Sequence, residues 1–326
     1  MKKIWINLVF SAGCLVLSPA HSADYPTKPI RWIVPFAAGG PTDSLARMMA
    51  DRVGRELGQT IIIENTPGAG GTIGAARAAR ASPDGYTMLV GHFGYMAAAP
   101  SLYKNLRYDP VKDFKGVFRF PDTPMVLLVN SKTNYSSLQQ FLSSARAQPG
   151  RLNIANAGVG SASHLTAALF AQSSGIVVQE IPYRGGGQAL NDVMGGQADA
   201  IFDQANTVMG LAKSDKVRPL AQTSVTRSKQ FPDLPTVAEA GIPGFEAQTW
   251  YGLYVPSGTP QVVVDRLFSA YQSALTDPAF QKTLFKQGLQ PLTDSAYTGV
   301  ALEKHTRAEI VKWRKVIHEA GIQPQS

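Results

Sequence analysis

Four glycine-rich segments hold most of the residues that could do chemistry, and they share one construction. Each follows a short β-rich run and leads into a helix start opened by Gly or capped by Ser, Thr or Asp. They are Pro35–Asp43, Gly68–Thr72, Ala157–His164 and Tyr183–Gly187. Glycines let the backbone approach a ligand closely. A helix N-terminus presents unpaired N–H groups and partial positive charge, which suits an anion. Each such end contributes about 0.3–1 kcal/mol toward a bound charge, so several acting together matter. A single loop of this kind is ordinary capping chemistry. These loops, however, sit at the carboxyl ends of strands in both halves of the chain, where open α/β sheets bind ligands.

Residues for other chemistries are poorly arranged. Gly68–Gly71 lacks the lysine of a phosphate loop and fits no dinucleotide fingerprint. Gly160-Ser161-Ala162-Ser163-His164 puts serines beside a histidine, but not in a G-x-S-x-G frame. A secreted serine-type hydrolase using Ser161 or Ser163 is therefore the enzymatic alternative. His92, His164, His305 and His318 form no H-x-x-x-H or H-x-H pair, so no metal is expected. Asp43 and Asp203 follow strands and could be imagined as an acid/base pair; capping or loop bracing is the simpler role. No cofactor is expected.

The elements that must position these loops alternate as βαβ units do. Strands are expected at Ile30–Val34, Ile61–Glu64, Thr87–Val90, Met125–Val129, Asn153–Ala155, Val177–Ile181, Ala200–Phe202, Pro219–Gln222 and Tyr251–Val255. Leu45, Met48, Met49, Val53 and Leu57 recur at helical spacing and mark the core face of a first helix. Thr259-Pro260 reads as an N-cap with Pro in the first helical position. Ile310, Trp313, Val316, Ile317 and Ala320 line a last helix stopped by Gly321. The C-terminal helices have few strands of their own, so they should pack back on the first lobe. The expected division is 23–121 plus 252–326 for lobe 1 and 122–251 for lobe 2, with a hinge at Phe120–Pro124 and Ala247–Tyr251.

The N-terminus has the layout of a secretory signal peptide. Lys2 and Lys3 precede an apolar stretch from Ile4 to Leu17, and Ala20-His21-Ser22 offers small residues for cleavage before Ala23. Ser11-Ala12-Gly13-Cys14 only loosely resembles a lipoprotein box. Cys14 is the single cysteine, so the mature chain would lack disulfides and thiol chemistry. Losing two lysines lowers the net charge from +8 to +6. Its Lys and Arg residues are dispersed, without a basic run or aromatic ladder, which argues against nucleic-acid binding.

At these loops the sequence resembles the substrate-binding proteins of tripartite tricarboxylate transporters, the Bug family. The resemblance runs from Tyr25-Pro26-Thr27-Lys28-Pro29-Ile30-Arg31 through Pro35–Asp43, Glu64-Asn65 with the Gly68–Gly74 turn, Pro83–Thr87, Gly158–Leu165, Pro182–Gly185, Gly195–Ala200 and Phe202-Asp203. It ends with Trp250-Tyr251-Gly252-Leu253 and Pro256–Pro260, and so spans essentially the whole mature chain. It implies an α/β, two-lobed periplasmic-binding-protein (Venus flytrap, type 2-like) fold, each lobe a mixed sheet flanked by helices. It also implies a periplasmic carrier that delivers its solute to membrane permease subunits. The chain is expected to be a monomer, and a ligand-sensing partner of a signalling receptor is the further alternative. Dicarboxylate, tricarboxylate, amino acid and aromatic acid all fit as ligand. The family pattern nominates Phe36, Ala37, Gly40, Thr42 and Asp43 on one lobe, and Gly160, Ser161, Ser163, Tyr183, Arg184 and Asp203 on the other. His92 and Phe93 stand where many relatives carry small hydroxyl residues, and could shape the pocket for a larger or aromatic acid.

Overall fold

The structure, a computed structural model, describes residues 25–183, 185–211, 214–289, 292 and 294–325. The signal segment and Arg184 lie outside the described residues. Strands β1 (Ile30–Val34), β2 (Ile61–Asn65), β3 (Thr87–His92) and β4 (Phe114–Arg119) build a first sheet. The chain then forms β5 (Thr123–Asn130), β6 (Asn153–Asn156), β7 (Gln179–Pro182), β8 (Ala200–Gln204), β9 (Val217–Gln222) and β10 (Gln248–Thr249) in a second. It returns to the first sheet as β11 (Tyr251–Pro256). The first sheet runs β2-β1-β3-β11-β4, with β11 antiparallel to both neighbours. The second runs β10-β5-β8-β6-β7, with β9 also paired to β5.

Helices α1 (Pro41–Leu57), α2 (Thr72–Ala79) and α3 (Ala99–Leu102) belong to the first lobe. Helices α4 (Leu138–Ala147), α5 (Ala162–Ser174), α6 (Gly186–Gly195) and α7 (Ala205–Gly210) follow the second sheet. Helices α8 (Gln261–Thr276), α9 (Pro278–Lys286) and α10 (Gly299–Glu319) come last. As the sparse C-terminal strands suggested, α8 packs on α1 and α10 on β4. The result is a two-lobed α/β fold with two mixed sheets, each flanked by helices.

Burial follows the sequence pattern closely. Leu45, Met49, Val53 and Leu57 of α1 are buried, and Met48 is half-buried beside them. Trp32, Phe118, Phe120 and Tyr271 form an aromatic centre with ring centroids 5.6–6.0 Å apart. Helix α10 buries Ile310, Trp313, Val316 and Ile317. Gly321, at φ +67°, closes it while Ile322 N–H reaches back to Ile317 O, a Schellman-type stop.

Several local expectations need correction. Thr259 does not cap α8: its hydroxyl donates to Pro256 O at 2.7 Å, and Pro260 itself is the N-cap. Ala320 is exposed rather than on the core stripe. β7 begins at Gln179, not Val177. Strand β4 had no counterpart among the expected strands, because Lys115, Gly116 and Arg119 interrupt its apolar run. Gly116 is required there, since a Cβ would come within 2.8 Å of Gly299 O at the start of α10.

The passages between sheets lie side by side. Phe120 N–H donates to Tyr251 O at 3.0 Å, and Gln248 and Thr249 pair with Pro124 and Thr123. The two connections thus form one antiparallel ribbon.

Candidate binding site at the facing loops

The first loop leaves β1 and turns into α1. Gly40 is the helix N-cap and Pro41 starts the helix, so the next free amides belong to Thr42 and Asp43. The Asp43 carboxylate is engaged within its own lobe. Its Oδ2 accepts from Gly39 N–H at 2.8 Å and Arg47 Nε at 2.9 Å, and its Oδ1 accepts from Asn65 Nδ2 at 2.9 Å. Asn65 also donates to Phe36 O at 3.0 Å. Burial alone would raise the Asp43 carboxyl, but these donors outweigh it and hold it down at about 2. Asp43 therefore braces the loop as the simpler sequence reading had it. Ala37 is exposed at the loop tip and Thr42 is buried.

β3 ends beside this loop. His92 is buried, with its ring 5.3 Å from Phe36 and 5.4 Å from Tyr251. Its Nδ1 accepts from Gly94 N–H at 3.1 Å, which leaves the ring proton on Nε2. Burial pushes its pKa down to about 3, so it offers a neutral hydrogen-bond donor. Phe93 points the other way, into the core against Trp313 at 5.5 Å. Residues Gly94–Ala98 then form one wide helical turn that leads into α3.

In the second lobe, the turn after β6 is pinned by its own side chains. Ser161 caps α5 by accepting from His164 N–H at 3.3 Å. Ser163 Oγ accepts from Ala157 N–H at 2.8 Å and lies 3.1 Å from Ser161 Oγ. His164 Nδ1 accepts from Gly160 N–H at 3.1 Å, while its Nε2 lies 3.0 Å from Glu180 Oε2. Neither ring nitrogen serves a serine, so no nucleophile–base pair exists here. Gly158, at φ +108°, passes close to Tyr183 O, and Tyr183 N–H donates to Asn156 O at 2.9 Å. Tyr183 is half-buried, and burial and Asp192 both raise its pKa. Gly185 opens α6, so the loops before α5 and α6 adjoin. Asp203, at the end of β8, accepts from Gln204 N–H at 2.7 Å, and burial raises its carboxyl to about 6.

The loops of the two lobes face and touch. The position of a Cβ on Gly94 lies 3.7 Å from Gly160 O, and one on Gly160 would lie 2.8 Å from Leu102 Cδ1. Tyr251 OH, within hydrogen-bonding reach of Thr42, donates to Gln204 Oε1 at 3.2 Å. A small interlobe cavity is walled by Pro41, Leu45, Tyr251, Gln204 and Asn206. Phe36, Thr42, His92, Gly160 and Tyr183 are thus grouped around the facing loops, Asp203 ends β8 beside Gln204, and Phe93 is turned away. Tyr251 and Gln204, and His164 with its neighbour Glu180, border these loops and were not among the expected site residues. Tyr251 stood in a quoted motif, but only pairing of β11 with β3 sets it opposite His92.

Residues 45–322 match the family described as the tripartite tricarboxylate transporter family receptor. The chain belongs to this family. It is similar to BugT of Bordetella pertussis, 34% identical over 318 residues, 96% of this chain and 95% of BugT. Among solved structures, Rpa4515 of R. palustris with adipate is 33% identical, with a TM-score of 0.84 over 93% of this chain and all of that one. MatC from Rhodopseudomonas palustris with bound malate is 35% identical, with a TM-score of 0.81 over 90% of this chain and all of that one. The receptor family is one of periplasmic binding proteins. No helix among the described residues is long and apolar enough to cross a membrane.

Proposed function

We propose that this receptor captures a small organic carboxylate between its lobes and hands it to the permease subunits of a tripartite tricarboxylate-type transporter. The observation that carries this reading is the meeting of the loops: Phe36 of the loop before α1 packs on His92, and Gly94 just beyond it meets Gly160 of the loop before α5. Amides from both lobes can then share one anion, an arrangement closed only when the lobes meet. Phe36, Gly40, Thr42, Tyr183 and Arg184 are the contacts proposed, together with the free α5 amides of Ala162 and Ser163 and with His92 donating from Nε2, while Gly160 shapes the turn. Asp43, Ser161 and Ser163 hold loop shape. Relatives that hold adipate and malate support a carboxylate as the cargo.

The reading includes a chain cleaved after Ser22, exported to the periplasm and acting as a monomer. Its lobes comprise residues 23–121 with 252–326 and residues 122–251, hinged at the paired ribbon. Binding, not catalysis, is its work, since His164 is committed to Gly160 and Glu180 rather than to Ser161 or Ser163. A thermal-shift screen with malate, adipate, citrate, glutamate and benzoate tests the reading, followed by calorimetric titration. At least one acid should raise the melting temperature saturably. Indifference to the whole panel would overturn carboxylate capture.

A further inference from the structure

The turn from Gly158 to Ser161 is short, glycine-rich and aimed at the opposite lobe, so something must fix the direction of its amides. Ser161 and Ser163 tie its two ends to α5 and to Ala157. Its middle is held from behind by an imidazole. His164, in the first turn of α5, is 7% exposed, and its Nδ1 takes the Gly160 N–H at 3.1 Å. An imidazole nitrogen accepts only when it carries no proton, so the ring proton must sit on Nε2. Glu180 Oε2 on β7 lies 3.0 Å from Nε2, so its negative charge faces the side of the ring that carries the proton. The carboxylate thereby selects the tautomer that leaves Nδ1 free to hold Gly160. Similar outer partners orient histidines that ligate metals; here the object held is a peptide N–H.

We infer that His164, oriented by Glu180, is a positioning residue for the carboxylate site: it pins the Gly160 amide and so aims the Gly158–Ser161 turn across the cleft. This rests on the proposed carboxylate site, but the positioning itself does not. With Gly160 N–H turned inward, its carbonyl faces Gly94, and Gly160 holds φ +80°, a conformation that favours glycine. Among the described residues, the amides of Ala162 and Ser163 at the start of α5 have no hydrogen-bond partner, and they are the donors this turn presents. Glu180 lies on an edge strand of the second sheet, outside the four loops, so the pair joins the site to an element that loop motifs do not mark.

Two measurements on the full mature protein test this. Nitrogen-15 spectra of histidine-labelled protein should show His164 Nδ1 as the unprotonated nitrogen and Nε2 as the protonated one. Hydrogen exchange at Gly160 needs no ligand: His164→Leu should speed it by about ten- to a hundredfold, the scale of one lost hydrogen bond. His164→Asn, whose Oδ1 can stand near Nδ1, should restore protection to within a few-fold. Titration with malate and adipate should follow the same order, with wild type and Asn tighter than Leu. A ring protonated on Nδ1, or Gly160 exchange indifferent to all substitutions, would overturn the inference. If exchange changes as expected while neither acid binds any variant, positioning stands and the carboxylate reading fails. If His164→Leu does not fold, the nitrogen-15 spectrum of the wild type decides.

Discussion

The indole of Trp250, at the turn where the chain re-enters the first lobe, donates to the carboxylate of Glu309 on α10 at 3.1 Å. Trp313 Nε1 donates to the same oxygen at 2.8 Å, and Lys312 reaches both Glu309 Oε1 and Glu246 O. The last helix is therefore fastened to one half of the interlobe ribbon through a single buried acid. Arg119 and Asp122 hold the other half, with Arg119 Nη2 donating to Asp122 Oδ2 at 2.7 Å.

Glu309→Leu should destabilise the receptor by about 2–4 kcal/mol, because two buried indole N–H groups lose a charged acceptor. Trp250→Phe, which removes one donor and keeps most of the ring volume, should cost about 1 kcal/mol. Urea denaturation of both variants checks the order. A Glu309→Leu midpoint equal to wild type would mean that water replaces the carboxylate and the fastening is weak.

pH should act on two buried groups in opposite senses. Burial, aided by Glu246 and Glu309 and opposed by Arg119, raises the Asp122 carboxyl to about 6. Its folded value exceeds the unfolded 3.8, so its stabilising contribution is complete below about pH 4 and is lost as pH rises through 6. His92 behaves in reverse. Its folded value of about 3 lies below 6.5, so its contribution is present above about pH 6.5 and lost as pH falls toward 3. Relative to wild type, Asp122→Asn should gain stability as pH rises from about 4 to 6, because it lacks this one falling contribution. His92→Gln should flatten the acid side. Curves parallel to wild type would contradict the burial assigned to each group.

Gly160→Ala should hold the lobes apart as well as strain the turn. The added Cβ would come 2.8 Å from Leu102 Cδ1 on the opposite lobe. Leu102→Ala removes that obstacle and should restore part of the closure in the double variant, the mark of two residues in contact. Small-angle scattering supplies the readout, with radius of gyration ordered Gly160→Ala, double variant, wild type from largest to smallest. Equal radii for the Gly160→Ala and wild-type proteins would show that closure does not bring these residues together in solution.

Asp43→Ala should loosen the first loop although Asp43 is committed within its own lobe. Gly39 N–H, Arg47 and Asn65 would each lose an acceptor, a cost of about 2–3 kcal/mol. Since the Asp43 carboxyl is held at about 2, its contribution is present above about pH 4 and lost as pH falls through 2. Thermal melting at neutral pH should show the loss, and at pH 2 the gap between variant and wild type should shrink. A constant gap would remove Asp43 from the acid response.

How much of this was legible beforehand depends on the range of the forces involved. Strand and helix positions came from local periodicity. The glycine turns came from backbone freedom that only glycine has, as at Gly158 and Gly321. The motif series from Tyr25 to Pro260 carried the family, and with it the two-lobed form. Contact partners were another matter. Nothing local distinguishes Phe93 from His92, yet β3 ends between them and sends one ring to the core and the other toward the facing loops. Asp43 and the two serines were nominated as ligand groups by the family resemblance, but each finds hydrogen-bond partners in or beside its own loop. Strand β4 was hidden because its glycine answers to α10, which lies far along the chain. Glu180 was invisible for the same reason: β7 must pair with β6 before its carboxylate can reach His164. Local composition thus determined which segments could bind an anion. Which atoms remain free to do so was decided by tertiary pairing, because hydrogen-bond capacity is spent on whichever partner the fold brings within about 3 Å.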